Sequence, residues 1–180
     1  MNSSTEQIIS NSLSLRLKQE TAAEHERMHQ LMSEAKVFSS KEKYAQFTLS
    51  QYYFQREIEH LFEKEGVAGL IPDLDIRGRS KQALADLNDL GIQPNGQQLQ
   101  SENVQLPEAL GWIYVSEGST LGAAFLFKEA QKHLGFSETF AARNLAAIPK
   151  GARKSGNVLY KHWMKQALTK PSKTESFKGR

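Results

Sequence analysis

Three groups of residues have types and spacings that suit chemistry. The first is His25, with Lys18 and Thr21 behind it on the same face of a helix by i, i+3/i+4, i+7 spacing. A neutral imidazole is a good iron ligand, and a lysine two turns away can pair with an anionic group. The second is Gly118 and Gly122, in the otherwise helical run 111–127, which contains no proline. Each glycine costs an exposed helix about 1 kcal/mol relative to alanine. At i and i+4 they strip one face of side chains over about 6 Å, so a flat object can touch the backbone there. A closely packed helix is one such object and a planar cofactor is another; the spacing leaves both open. The third is the pair of Glu-x-x-His units at Glu26/His29 and Glu57/His60. With Glu117 and Glu129 they supply the residue types of a di-iron carboxylate site in a helical bundle.

Composition removes other chemistries. The chain has no cysteine, so disulfides, thiolate ligands and cysteine nucleophiles are excluded. With 39% hydrophobic and 24% charged residues over 180 residues, it reads as one soluble globular domain with a real core. No apolar run is long enough to cross a membrane, and Met1–Ser10 lacks the basic start and apolar centre of a secretory signal. The expected compartment is the cytoplasm. The net charge of +3 is uneven. Lys150, Arg153, Lys154, Lys161, Lys165, Lys170, Lys173, Lys178 and Arg180 face Glu175 alone. Such a segment is either a solvated tail or a surface for an acidic partner. No nucleic-acid-binding motif accompanies it.

The elements that must position these residues are helical. Leu13, Leu17, Thr21, Met28, Leu31 and Met32 approximate one helical face over 9–32. Ser39-x-x-Glu42 has the form of a capping box. It opens a helix whose Tyr44, Phe47, Gln51, Phe54, Ile58, Leu61 and Phe62 keep a 3/4 spacing. A shorter helix is expected over 80–90, followed by a loop at Gly91–Gly96. Pro107 suits the first turn of the glycine-bearing helix, which Gly135 stops. Ser137 is placed as the cap of a short helix reaching Leu145. Pro149–Gly151 turns the chain, and a last helix covers 155–168. No strand alternation or repeat occurs. The expected fold is an all-α multi-helix bundle over 11–168, with a disordered start at 1–10 and a basic flexible tail at 169–180.

The L-K-x-x-T-x-x-x-H pattern at Leu17–His25, followed some ninety residues later by Gly118-Ser119-Thr120-Leu121-Gly122, resembles the haem oxygenase family. The likeness to its bacterial, biliverdin-forming members covers roughly residues 13–165. It implies haem b sandwiched between a proximal helix, with His25 as axial iron ligand, and a distal helix whose Gly118 and Gly122 touch the haem face. It further implies cleavage of haem at a meso carbon, using O2 and electrons from an external donor, to biliverdin, CO and ferrous iron, in the service of iron acquisition. Lys18 then resembles the family's propionate partner. Tyr114, one turn before Gly118, lines the distal pocket or packs in the core. Ser119 anchors distal water or is an ordinary helix-face serine. His29 stands where many members carry a glutamate.

The resemblance also bears on regiochemistry and partners. Most of the family cuts at the α-meso carbon. A bacterial branch seats its haem rotated; it lacks the proximal lysine and has a second lysine after a distal Phe-Lys pair. Here Lys18 is present and Phe127-Lys128 is followed by Glu129, which favours the unrotated haem. The basic C-terminal segment would dock an acidic donor such as a ferredoxin or flavoprotein reductase, with the enzyme acting as a monomer. Two other functions stay open: the di-iron oxidase built on Glu26/His29 and Glu57/His60, and a haem carrier that binds through His25 without turnover.

Overall fold

The computed structural model describes Arg16, residues 19–71 and residues 73–146. Lys18, the expected helix start near Ile9, the turn at Pro149–Gly151, the helix expected over 155–168 and the basic tail lie outside the described residues. Among the described residues five named helices follow in order: α1 (Ala22–Ala35), α2 (Lys41–Phe62), α3 (Ser80–Leu90), α4 (Glu108–Leu134) and α5 (Arg143–Ala146). Short 3-10 turns precede α2, α3 and α4. There is no strand among the described residues, only isolated bridges from Ser137 to Phe140 and Ala141.

The helix boundaries follow local chemistry. α2 begins one residue later than the capping box suggests. Ser39 is spent in a 3-10 turn, whereas Ser40 is extended (φ −156, ψ 161) and its Oγ accepts the Lys43 N–H at 3.3 Å. Ser40 is therefore the cap. α3 spans the expected residues and closes at Gly91, whose φ of +76 suits glycine. There the Gly91 N–H bonds Asn88 O and the Ile92 N–H bonds Leu87 O, a Schellman ending.

The short helix near Leu145 is not capped by Ser137, which instead sits in a turn closed by its bonds with Phe140. Its N-terminus is held from outside by α3. The fully buried Asp86 carboxylate accepts the Arg143 and Asn144 N–H groups at 2.9 and 2.8 Å, and Asp89 accepts the Ala141 N–H at 2.9 Å. Arg143 also pairs with both carboxylates. Burial pushes the Asp86 carboxyl above its ordinary range, and the bonds from α5 oppose that shift. Removing the acceptor strands two amides and takes one of its two carboxylates from the Arg143 guanidinium, which keeps Asp89. Asp86→Ala should therefore cost about 3 kcal/mol of stability, read as a shift of the urea midpoint.

Two apolar clusters build the core. Tyr44, Ala45, Leu90, Ala123, Ala130, Phe136 and Leu145 form one; Ile58, Leu61, Val67, Ile71, Ala109, Leu110 and Ile113 form the other. α4 belongs to both, with its first turns in the second cluster and its later turns in the first. The segment 116–122, where the glycine pair lies, falls between the two anchored stretches. α1 is different: none of its residues is buried.

Candidate functional site

The open face of α4 carries the glycines. A Cβ built on Gly111, Gly118 or Gly122 would meet no described residue within 4 Å. Close packing of a neighbouring helix is thus not what these glycines serve among the described residues. Val115, between Gly111 and Gly118, is 52% exposed, and Phe125, beyond Gly122, is 64% exposed. Residues 111, 115, 118, 122 and 125 follow the 3.6-residue period, so they form one stripe in which bare backbone at the three glycines alternates with the apolar side chains of Val115 and Phe125. Burying such a stripe against a flat apolar molecule is favourable.

The back of the same segment is polar and gripped. Ser116 is buried. The residues on either side of Gly118 are each held by the loop that leads into α3: Arg77 Nη1 lies 2.7 Å from Glu117 Oε2, and Arg79 Nη2 donates to Ser119 Oγ at 3.3 Å. Arg77 and Glu117 are largely withdrawn from water, with side chains 7% and 20% exposed. Burial pulls the Arg79 guanidinium below its usual pKa, and the charges of Glu117 and Glu59 counter this. The loop is anchored in turn on α2, where Glu59 accepts the Ser80 N–H at 2.6 Å and the Ser80 hydroxyl. Gly78 fits between them because a Cβ there would come within 2.8 Å of the Glu59 carboxyl.

The Ser119 hydroxyl is more committed than its exposed position suggests. It donates to Ser116 O at 2.6 Å while accepting from Arg79. A hydroxyl has one proton and two lone pairs. Ser119 is left with one acceptor site, so it can receive one further hydrogen bond but cannot donate one. Tyr114 is partly buried on α4, one turn before Gly118. Arg77 and Arg79 were not legible as site residues, because loop arginines without a motif give no sequence signal.

On α1, His25 is exposed; Met28, at i+3, is 57% exposed, and Leu31, further along the helix, is 48% exposed. His29 follows one turn later, its ring centroid 4.7 Å from that of His25. Lys18 lies outside the described residues. An imidazole among exposed apolar side chains on one helix, and a glycine-bared face on another, fit a large planar iron porphyrin with one ligating histidine.

The di-iron arrangement is not assembled. Glu57 accepts the Gln100 and Ser101 N–H groups at 3.0 and 2.8 Å. Burial pushes its carboxyl up, but these bonds and the Ser101 side chain bring it below the ordinary value. Glu117 is paired with Arg77, and Glu129 lies 3.4 Å from His133 on its own helix. Among the described residues no three histidine or carboxylate side chains gather closely enough to hold a metal.

Comparison with known proteins places the chain among relatives of one family. The family model described as Heme oxygenase matches residues 11–178. The chain is 43% identical to Heme oxygenase PigA of Pseudomonas aeruginosa over 148 residues, which is 81% of this chain and 74% of that protein. The crystal structures of the NO- and CO-bound heme oxygenase from Neisseria meningitidis match with a TM-score of 0.75 at 36% identity, covering 87% of this chain and 77% of that one. No helix among the described residues is long and apolar enough to cross a membrane.

Proposed function

Because this chain belongs to the haem oxygenase family and is thus a haem-degrading oxidoreductase, we propose that it binds haem b between α1 and α4 and cleaves it at the α-meso carbon to biliverdin, CO and ferrous iron. O2 and an external electron donor are the co-substrates, and release of iron from haem is the service performed. The observation that carries the reading is the bare stripe of α4, which the fold supports from behind and leaves open in front.

The porphyrin iron supplies O2 binding and the redox chemistry. The chain's residues supply the rest. His25 offers one imidazole nitrogen to the iron and leaves the opposite side free. Gly118 and Gly122 let the α4 backbone approach that side with no side chain between, so the approach of O2 is confined toward the ring edge. Arg77 and Arg79 fix the height of α4 by holding Glu117 and Ser119. Ser119 accepts a hydrogen bond from a distal water, and Tyr114 lines the same pocket. Val115, Phe125, Met28 and Leu31 cover the ring and exclude bulk water. Lys18 pairs with a propionate and limits rotation of haem in its own plane.

Seating decides the product. Lys18 attracts a propionate to its side, whereas Glu129 repels one from the α4 end. Even modest, solvent-screened contributions together favour the unrotated haem by roughly tenfold. Chromatography of the products should show biliverdin IXα in large excess. A β or δ majority would show that other contacts seat the haem.

The basic segment after Lys150 docks an acidic donor, a ferredoxin or a flavoprotein reductase, on a monomeric cytoplasmic enzyme. Association between opposite surface charges weakens as salt screens it. Donor-supported turnover should fall several-fold between low and high ionic strength, while ascorbate-supported turnover stays level. Equal salt sensitivity in the two assays removes this docking role. Consumption of haem with a donor distinguishes the enzyme from a haem carrier, which holds haem unchanged under the same conditions.

A further inference from the structure

We propose that His25 and His29 together form a bidentate site for a divalent transition-metal ion, and that this site and haem exclude one another. The exclusion rests on the reading of His25 as the haem ligand; the chelate itself does not. The two histidines are one turn apart on α1, and both are exposed. Two histidines at i and i+4 on one helix face are a recurring zinc-binding pair. Their ring centroids are 4.7 Å apart with planes inclined at 61°.

That separation is close to what one shared ion requires. With metal–nitrogen bonds of about 2.05 Å, each imidazole centroid sits about 3.2 Å from the ion. Two such rings are then about 4.5 Å apart at a right angle and about 5.2 Å apart at the tetrahedral angle. The observed value falls between the two, so the ring spacing suits either geometry once a nitrogen of each ring is turned to the ion. Among the described residues, no hydrogen bond ties down either ring. Solvent can complete the shell, because the face is open.

Imidazole suits zinc, copper, iron and nickel rather than magnesium or calcium. With two protein ligands the site is a moderate binder and selects by ligand type. Its consequence follows from a shared atom. The lone pair that His25 gives to a chelated ion is not available to haem iron, so occupancy by one lowers affinity for the other by mass action.

Calorimetric titration of the haem-free full chain with zinc chloride, followed by haemin titrations with and without zinc, tests this. One zinc should bind per chain at this site, and His29→Ala and His25→Ala should each weaken it at least tenfold. His133→Ala, which alters the other i, i+4 histidine pairing, should not. With zinc at ten times its measured dissociation constant, the apparent haemin dissociation constant of the wild type should rise about elevenfold. In His29→Ala the ratio measured with and without zinc should be close to one. Undiminished zinc binding by His29→Ala overturns the chelate. Haemin affinity that ignores zinc bound at this site overturns the exclusion. Unaltered haemin binding by His25→Ala instead overturns the axial assignment and leaves the zinc result standing.

Discussion

Replacing Gly118 with leucine should leave haem bound, make the haem-free protein slightly more stable, and reduce biliverdin formation at least about 100-fold. The combination follows from where Gly118 lies. It is a mid-helix residue whose added Cβ would meet no described neighbour. Glycine there costs about 1 kcal/mol of helix stability, which leucine recovers. A glycine kept for close packing behaves in the opposite way, because the larger residue then strains the fold. The side chain would instead project into the space proposed for the distal side of haem. Displacing reacting groups by about 1 Å can cost two orders of magnitude in rate. Thermal melting of the haem-free variant and single-turnover assays of the loaded variant read the two halves. A destabilised but active variant would contradict the contact model.

His25→Ala should lower haem affinity at least tenfold and abolish turnover, with partial recovery on adding imidazole. Stability of the haem-free chain should not fall, since no residue of α1 is buried and alanine is the better helix former. Rescue by a free ligand separates loss of the iron bond from loss of the pocket. The measurements are a haemin titration followed in the visible spectrum and a turnover assay with and without imidazole. If His29→Ala causes the loss and His25→Ala does not, the assignment of the proximal ligand is wrong.

Much of this was legible because local rules and fold agree. Of the expected α2 face, Tyr44, Ile58 and Leu61 are buried, whereas Phe47, Gln51, Phe54 and Phe62 are half-buried and Ala45, Thr48 and Gln55 fill the other buried positions; Gly91 and Gly135 ended their helices. The glycine pair marked the open face correctly as a place without side chains, but spacing could not say whether a helix or a ligand lay against it. The absence of any described atom near the built Cβ positions favours the ligand. Two local signals misled. Ser39 had the capping pattern, yet the preceding 3-10 turn consumed it and Ser40 capped instead. Ser137 resembled a cap, but α5 is capped by Asp86 from another helix. Tertiary caps of that kind leave no trace at the residues they serve. The Arg77 and Arg79 grip on α4 was invisible for the same reason, since its partners lie 40 positions away. Glu57 and Glu117 looked available as metal ligands only because the amides and the guanidinium that occupy them are distant in sequence.

The most direct test of the central claim is the carbon monoxide released by the haemin-loaded protein on addition of an electron donor in air, measured with the visible spectrum in the same cuvette. The account predicts one CO per haem, decay of the Soret band and growth of the biliverdin absorption. A Soret band that persists while the iron is reduced, with no CO evolved, would contradict it and leave a protein that holds haem without cleaving it.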